Sequence, residues 1–297
     1  MVPQELICTL SALGLNPKEI TKIELIQQRH GNYLYRLSDG KHIFILKWFK
    51  DAIQSVEVCA YTLLEQLGVP TLPVHGRTGN ALLLEDLTTN PIWRLANEDD
   101  VNLSETGEAL AKWYLNLHST GKQVIANPTE IPSFLKWDID ILDAKTILET
   151  GKKLGLLENS GWALASDNIE AIKTFIHSLS GTLTYNDFYW GNLAISRQRI
   201  PSLRVIVYDY HLLSIGYPFS DCRNVVGSLG DKAASAFLET YGPVDEREKI
   251  VDAPTAILVA LVTASQMPSF PKWAEGCLDE VKNGELEKSL RRALEII

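Results

Sequence analysis

Cysteine is scarce in this 297-residue chain. Cys8, Cys59, Cys222 and Cys277 are widely scattered, and no CxxC or Cys/His spacing joins them. That pattern excludes a zinc module or redox pair legible in sequence, and predicts reduced thiols in a cytoplasmic protein. The six histidines show no metal-ligand clustering. Positive charge is also in deficit, with 28 Lys plus Arg against 37 Asp plus Glu and a formal net charge of −9. Nucleic acid and anionic membrane both reward basic patches, so neither is expected as a partner. Long apolar runs are missing. The most apolar stretch, Thr255 to Ala264, is too short to span a bilayer and reads as a buried helix. The start, MVPQELICTLSAL, lacks the basic and apolar regions of a secretory signal. No G-x-x-x-x-G-K-[ST] occurs, which removes the phosphate-cradling loop of P-loop proteins.

The apolar pattern divides the chain. After a short helix over 3–13, IELIQQ, NYLYRL and HIFILKWF read as three strands, with SDG at 38–40 as a tight turn. Ala52 to Leu67 reads as a helix closed by Gly68, and TLPVHG and ALLLEDL read as two further strands in the same antiparallel sheet. TTNPIW reads as a connector. Most of the rest reads as helix, first over 101–118 and then near 136–150, 166–179, 231–241, 246–265, 271–281 and 284–297. Only the block around 182–209 adds short strands. The expected architecture is α+β and bilobal: a small sheet-rich lobe over 1–87, and a larger, mainly helical lobe over 88–297. A cleft between such lobes is a common ligand site.

The chemistry-bearing residues concentrate in TLTYNDFYWGNLAISRQRIPSLRVIVYDYHLLSIGYPFSDCR, residues 182–223. Asp187 precedes Asn192 by five residues, and a β-branched strand then delivers Asp209. Phosphoryl transfer from ATP needs such a set: a carboxylate to orient the attacking hydroxyl, and an amide oxygen and second carboxylate to hold magnesium. Upstream, FILKWF carries Lys47 on the third strand and the following helix offers Glu57. Alone, Lys47 would read as an exposed strand lysine. With the downstream set it reads as a phosphate-binding lysine paired with a helix glutamate. Glu65, near the helix end, reads as solvated. Gly31 and Asn32, between strands one and two, are placed over the phosphates, although no G-x-G-x-x-G occurs. Glu85 to Leu87 read as the crossing between lobes, where backbone groups bond the base and the Glu85 and Asp86 carboxylates are solvated.

Together these motifs resemble the aminoglycoside phosphotransferase and choline kinase family over roughly Ile23 to Val226. The H-[GN]-D-x-x-x-x-N motif of that family appears as Tyr185-Asn186-Asp187 with Asn192. Its strand ending in Asp appears as Val205 to Asp209, and its G-x-P-x-x-D as Gly216, Pro218 and Asp221. The LHST end of the 101–118 helix also fits. The resemblance implies a protein-kinase-like fold, ATP and magnesium as cofactors, Asp187 as catalytic base, and Asn192 and Asp209 as magnesium ligands. It also implies a small-molecule hydroxyl acceptor, such as an aminoglycoside, choline or ethanolamine, homoserine or a sugar-like alcohol.

Tyr185 stands where the family has histidine, and is expected to brace the catalytic loop through its ring and hydroxyl. Tyr189 and Trp190 read either as loop packing or as an aromatic wall for a cationic acceptor. His211 reads as a second-sphere or solvent residue. Asp221 reads as structural, capping a helix or bonding the catalytic loop. A protein kinase fits less well, because no A-P-E and no room for a long activation loop follow Asp209. The second reading is a catalytically weak or inactive nucleotide-binding regulator on the same fold. The joint presence of Lys47, Asp187, Asn192 and Asp209 favours the enzyme.

Overall fold

A computed structural model describes residues 4–29, 31–50, 55–127, 129, 131–199 and 201–297. In chain order these form α1 (Gln4–Ala12), β1 (Lys22–Arg29), β2 (Asn32–Ser38), β3 (Ile43–Phe49), α2 (Val56–Gln66), β4 (Val74–Thr78), β5 (Ala81–Glu85) and β6 (Trp93–Leu95). There follow α3 (Ser104–Ile125), α4 (Ala144–Leu154), α5 (Ser160–Ser178), β7 (Thr182–Thr184), β8 (Leu193–Ser196), β9 (Val205–Val207) and β10 (Ser214–Gly216). The chain closes with α6 (Pro218–Ser228), α7 (Asp231–Tyr241), α8 (Glu246–Ser265), α9 (Glu275–Lys282) and α10 (Glu285–Leu294). Contacts divide it into two compact units. The first is Met1–Leu117, Tyr185–Leu213 and Asn224–Tyr241; the second is His118–Thr184, Ser214–Arg223 and Gly242–Ile297.

In the first unit β1 to β5 form an antiparallel sheet in the order β1-β2-β3-β5-β4. Gly40 turns β2 toward β3 at φ +87°, a conformation that favours glycine. Strand alternation gives the sheet two unlike faces. Tyr35, Leu37, Leu46, Trp48 and Leu83 cluster with Leu6 and Leu10 of α1. Burying each such side chain contributes roughly 1.5–3 kcal/mol. Asn32, Leu34, Arg36, Ile45, Lys47 and Leu84, on the opposite face, line a cavity.

A second, three-stranded sheet runs β6-β8-β9. Its register pairs Leu193 with Val207, and the Tyr208 N–H donates to the Asn192 carbonyl at 3.0 Å. The residues just before β8 and just after β9 therefore share one end of the sheet.

The second unit is mainly helical. Trp162, Ile172, Leu258, Leu261 and Leu290 lie in its apolar core, and the Trp162 indole donates to the Ile147 carbonyl at 2.9 Å. Asp143, Asn159 and Asp245 cap α4, α5 and α8 by accepting backbone N–H bonds. Among the described residues no helix is long and apolar enough to cross a membrane.

Some sequence expectations shift. The helix placed at 136–150 begins only after the Asp143 cap, and Asp138–Ile141 is a 3-10 turn. The acids at 138, 140 and 143 favour turns and caps over helix interior. The connector at 88–93 ends in a short strand, because Trp93 to Leu95 find open pairing sites on β8. A helix over Pro218–Ser228 went unread; its proline stands at the first helical position, where a missing N–H costs nothing. The expected helix start at Ala52 lies outside the described residues.

Candidate active site

Lys47 projects from the cavity face of β3. Its Nζ lies 2.5 Å from Glu57 Oε2 on α2 and 2.8 Å from Asp209 Oδ1. One ammonium thus ties helix to sheet and both to the segment after β9. Burial opposes the Lys47 charge, but the two acids outweigh it and raise its pKa. Burial likewise opposes ionisation of Asp209. Hydrogen bonding from His211 and the charge of Lys47 overcome it and hold Asp209 well below the usual carboxylate range. Glu57 is wholly buried, and burial pushes its pKa up.

His211, expected as a second-sphere or solvent residue, sits against the Asp209 carboxylate. Its Nδ1 lies 2.9 Å from Asp209 Oδ1. Burial works against its protonation, but Asp209 and Asp187 more than compensate, so its pKa is raised. Asp209 itself holds φ +71°, a left-handed conformation uncommon for residues other than glycine and costing about 1–3 kcal/mol.

Asp187 lies in the loop between β7 and β8. The Asn192 amide donates to its Oδ2 at 3.0 Å and to its backbone carbonyl at 3.1 Å, so the five-residue spacing closes a small ring. Asn186, just before it, is also left-handed at φ +59°. Burial raises the Asp187 pKa; His211 lowers it and Asp209 raises it again. Two carboxylates of one neighbourhood are thus pushed in opposite directions, a pattern that separates acid–base from ligand roles.

Tyr185 braces this loop from within. It is fully buried, its hydroxyl donates to the Tyr208 carbonyl at 2.6 Å, and its ring meets Trp113 and Tyr210 edge-on. Tyr210 in turn packs edge-on against Tyr61 of α2, with centroids 4.8 Å apart. The resulting column Tyr61–Tyr210–Tyr185 connects the helix of Glu57, the segment of Asp209 and the loop of Asp187. Such pairs each contribute about 0.5–1.5 kcal/mol beyond burial.

The cavity has a volume of about 560 Å³. Asn32, Lys47, Glu57, Glu85, Leu87, Asp209 and His211 line it; Gly31, Asp187, Asn192, Tyr189 and Trp190 do not. Gly31 makes the β1–β2 turn at φ +80°, next to Asn32. Tyr189 and Trp190 are 51% and 39% exposed, and their rings meet each other edge-on with centroids 6.0 Å apart.

At the end of β5 the solvated reading of both acids fails. Asp86 is buried, accepting from Arg36 Nε at 2.6 Å and from the backbone and hydroxyl of Thr88 at 2.8 and 2.6 Å. Its carboxylate organises the turn that follows β5. Glu85 Oε2 is 2.5 Å from His75 Nε2, and its Oε1 accepts from Asn90 at 2.9 Å. The Glu85 N–H is committed to the Pro73 carbonyl at 3.1 Å. Leu87 lines the cavity just past this point. Glu65, by contrast, is exposed and pairs with Arg77.

No protein-family model matches the chain, and no curated protein matches it. Solved structures do. The chain is similar to choline kinase LicA from Streptococcus pneumoniae at 13% identity, over 96% of this chain and 98% of that one, with a TM-score of 0.63. A choline/ethanolamine kinase family protein from Mesorhizobium loti matches at 13% identity over 97% and 98%, with a TM-score of 0.59. A GDP complex of aminoglycoside 2'-phosphotransferase-IIIa matches at 14% identity over 96% and 98%, with a TM-score of 0.63. The chain therefore has the α+β, protein-kinase-like fold shared by choline/ethanolamine kinases and aminoglycoside phosphotransferases.

Proposed function

We propose that this protein is an ATP- and magnesium-dependent phosphotransferase that phosphorylates a hydroxyl of a small molecule. The observation that carries the reading is Lys47, shared between Glu57 and Asp209 in a cavity wall, with Asp187 ringed by Asn192 in the same unit. The similar solved structures support it: those chains are choline, ethanolamine and aminoglycoside kinases, and some were solved with GDP or AMP.

In this reading residues 1–87 bind the nucleotide and residues 88–297 carry the catalytic loop and acceptor site. The apolar side chains Leu34, Ile45 and Leu84 accept the base, and the Leu87 N–H donates to its edge, with the Glu85 carbonyl beside it. Lys47, kept protonated and fixed by two acids, meets the phosphates together with Gly31 and Asn32. Magnesium typically takes one or two carboxylates with the remaining sites filled by phosphates and water. An ionised Asp209 and the amide oxygen of Asn192 fit that demand. When bound, the metal neutralises charge on the phosphates. Asp187 orients the acceptor hydroxyl and takes its proton; its raised pKa gives it more basicity than an ordinary carboxylate. Tyr189 and Trp190 offer exposed aromatic faces to a cationic acceptor such as an amino alcohol or aminoglycoside. The setting is cytoplasmic, with neither nucleic acid nor membrane as partner.

ATP consumption over a panel of choline, ethanolamine, aminoglycosides, homoserine and sugar alcohols tests this directly. Acceptor-dependent ADP release with a phosphorylated product is expected. Binding of nucleotide without turnover on any acceptor would favour the non-catalytic alternative.

A further inference from the structure

Between β1 and β2 the sequence carries one glycine, Gly31, where a glycine-rich loop would let the backbone approach a phosphate chain closely. Strand β1 compensates in an unusual way. Its register with β2 pairs Ile23 with Leu37 and Leu25 with Tyr35, both residues of the core that packs on α1. Strict alternation would turn Gln27 and Arg29 to that same core. A bulge between Leu25 and Gln27 inverts the phase, so Gln27 instead pairs with Leu34 and Arg29 with Asn32. Both then line the cavity. Bulges near functional sites commonly re-aim a side chain in this way.

The cavity's cations are otherwise spent. Arg36 is held by Asp86, Lys47 by Glu57 and Asp209, and His211 by Asp209. Arg29 has no acid partner among the described residues. Its place along the sheet is equally telling. The row Arg36–Ile45–Leu84 lies toward the end of β5, where the base is read, and the row Leu34–Lys47–Leu82 lies one step beyond. Arg29 and Asn32 lie a further step along, past Lys47 and away from the base end.

We infer that Arg29 is a phosphate-binding residue, contacting the polyphosphate of a bound nucleoside triphosphate beyond Lys47 and replacing the amides of a glycine-rich loop. The inference rests on the nucleotide reading above. A guanidinium suits the task, because it presents paired donors to phosphate oxygens and never deprotonates. It also supplies charge that Lys47, balanced by two carboxylates, does not.

The test is calorimetric affinity for ATP, ADP, AMP and adenosine, measured on the parent, Arg29→Ala and Arg29→Lys, with thermal melts as a fold control. Arg29→Ala is expected to weaken ATP about ten- to hundredfold, as befits a charged hydrogen bond, and to leave adenosine unchanged. Arg29→Lys should fall between parent and Ala for ATP, and it serves alone should the alanine variant melt early. Unchanged ATP affinity in either variant, or an equal loss for ATP and adenosine, would overturn the assignment while leaving the nucleotide site standing. A parent protein that binds none of the four ligands would overturn the function itself, and this inference with it.

Discussion

Both units bury carboxylates, but they treat them differently. In the second unit each buried acid is answered locally. Asp252 accepts from Arg223 Nε at 2.6 Å and from the Tyr217 hydroxyl at 3.2 Å. Glu248 accepts the Phe219 N–H at the start of α6, and Asp221 faces His118 at 3.1 Å. The first unit answers Asp86 with Arg36 and Asp100 with Arg94 in the same way. Glu57 and Asp209, however, share Lys47, Asp209 also meets His211, and Asn186 and Asp209 are left-handed. An arrangement that leaves negative charge and strain in excess is costly for a lone domain. In the proposed function a cation and a phosphate chain would offset that cost. The second unit's polar pairs hold a fold together, as Asp86–Arg36 and Asp100–Arg94 do in the first; the acids that share Lys47 are the exception.

If that contrast is right, substitutions in the two units should fail differently. The largest effect is expected from Asp187→Asn. Transfer should fall about 10²–10⁴-fold, the usual contribution of a general base, while ATP affinity and melting temperature stay close to the parent. Turnover within a few-fold of the parent would remove Asp187 from the chemistry. Asp252→Ala should do the reverse. Loss of a buried carboxylate that accepts two hydrogen bonds should cost about 2–3 kcal/mol of stability, seen as a lowered denaturation midpoint, with kcat of the folded protein little changed. A variant that kept its midpoint but lost activity would erase the distinction between the units.

Smaller effects sharpen the picture. Trp190→Ala should raise the acceptor KM by about tenfold, within the range of a desolvated cation–π contact, and leave the ATP constant in place. A change confined to the ATP constant would put the acceptor elsewhere. The smallest effect concerns Glu248, whose pKa burial raises from 4.5 to about 7. The folded protein binds that proton more tightly than the unfolded chain, so its contribution favours folding below pH 4.5. That contribution is lost as the pH rises toward 7. Glu248→Gln should flatten stability across that window in urea titrations; an unaltered slope would show the group is not the source.

Much of the site was legible because its signals are local. Asp187 and Asn192 close their ring within five residues, and the strand Val205 to Val207 delivers Asp209 by simple extension. Lys47 and Glu57 lie on consecutive elements, and alternation on β3 together with the apolar face of α2 turns them toward each other. The two faces of the sheet follow from the same alternation. What escaped was set by distant partners. Asp86 looked solvated because Arg36 lies fifty residues earlier, and only the β2–β3–β5 register brings them together. The bulge at Ile26 has no signature in KIELIQQR, whose polar second half suits either phase. The tyrosine column joins residues 61, 185 and 210, and each reads alone as an ordinary core aromatic.

We propose that Asp209 and its neighbours hold a metal-bound nucleotide. The most direct measurement is ATP affinity with and without magnesium, on the parent and on Asp209→Ala. Magnesium is expected to tighten ATP binding to the parent, and the variant is expected to lose this dependence, because the carboxylate best placed to hold the metal is gone. An identical magnesium dependence in both proteins would contradict it.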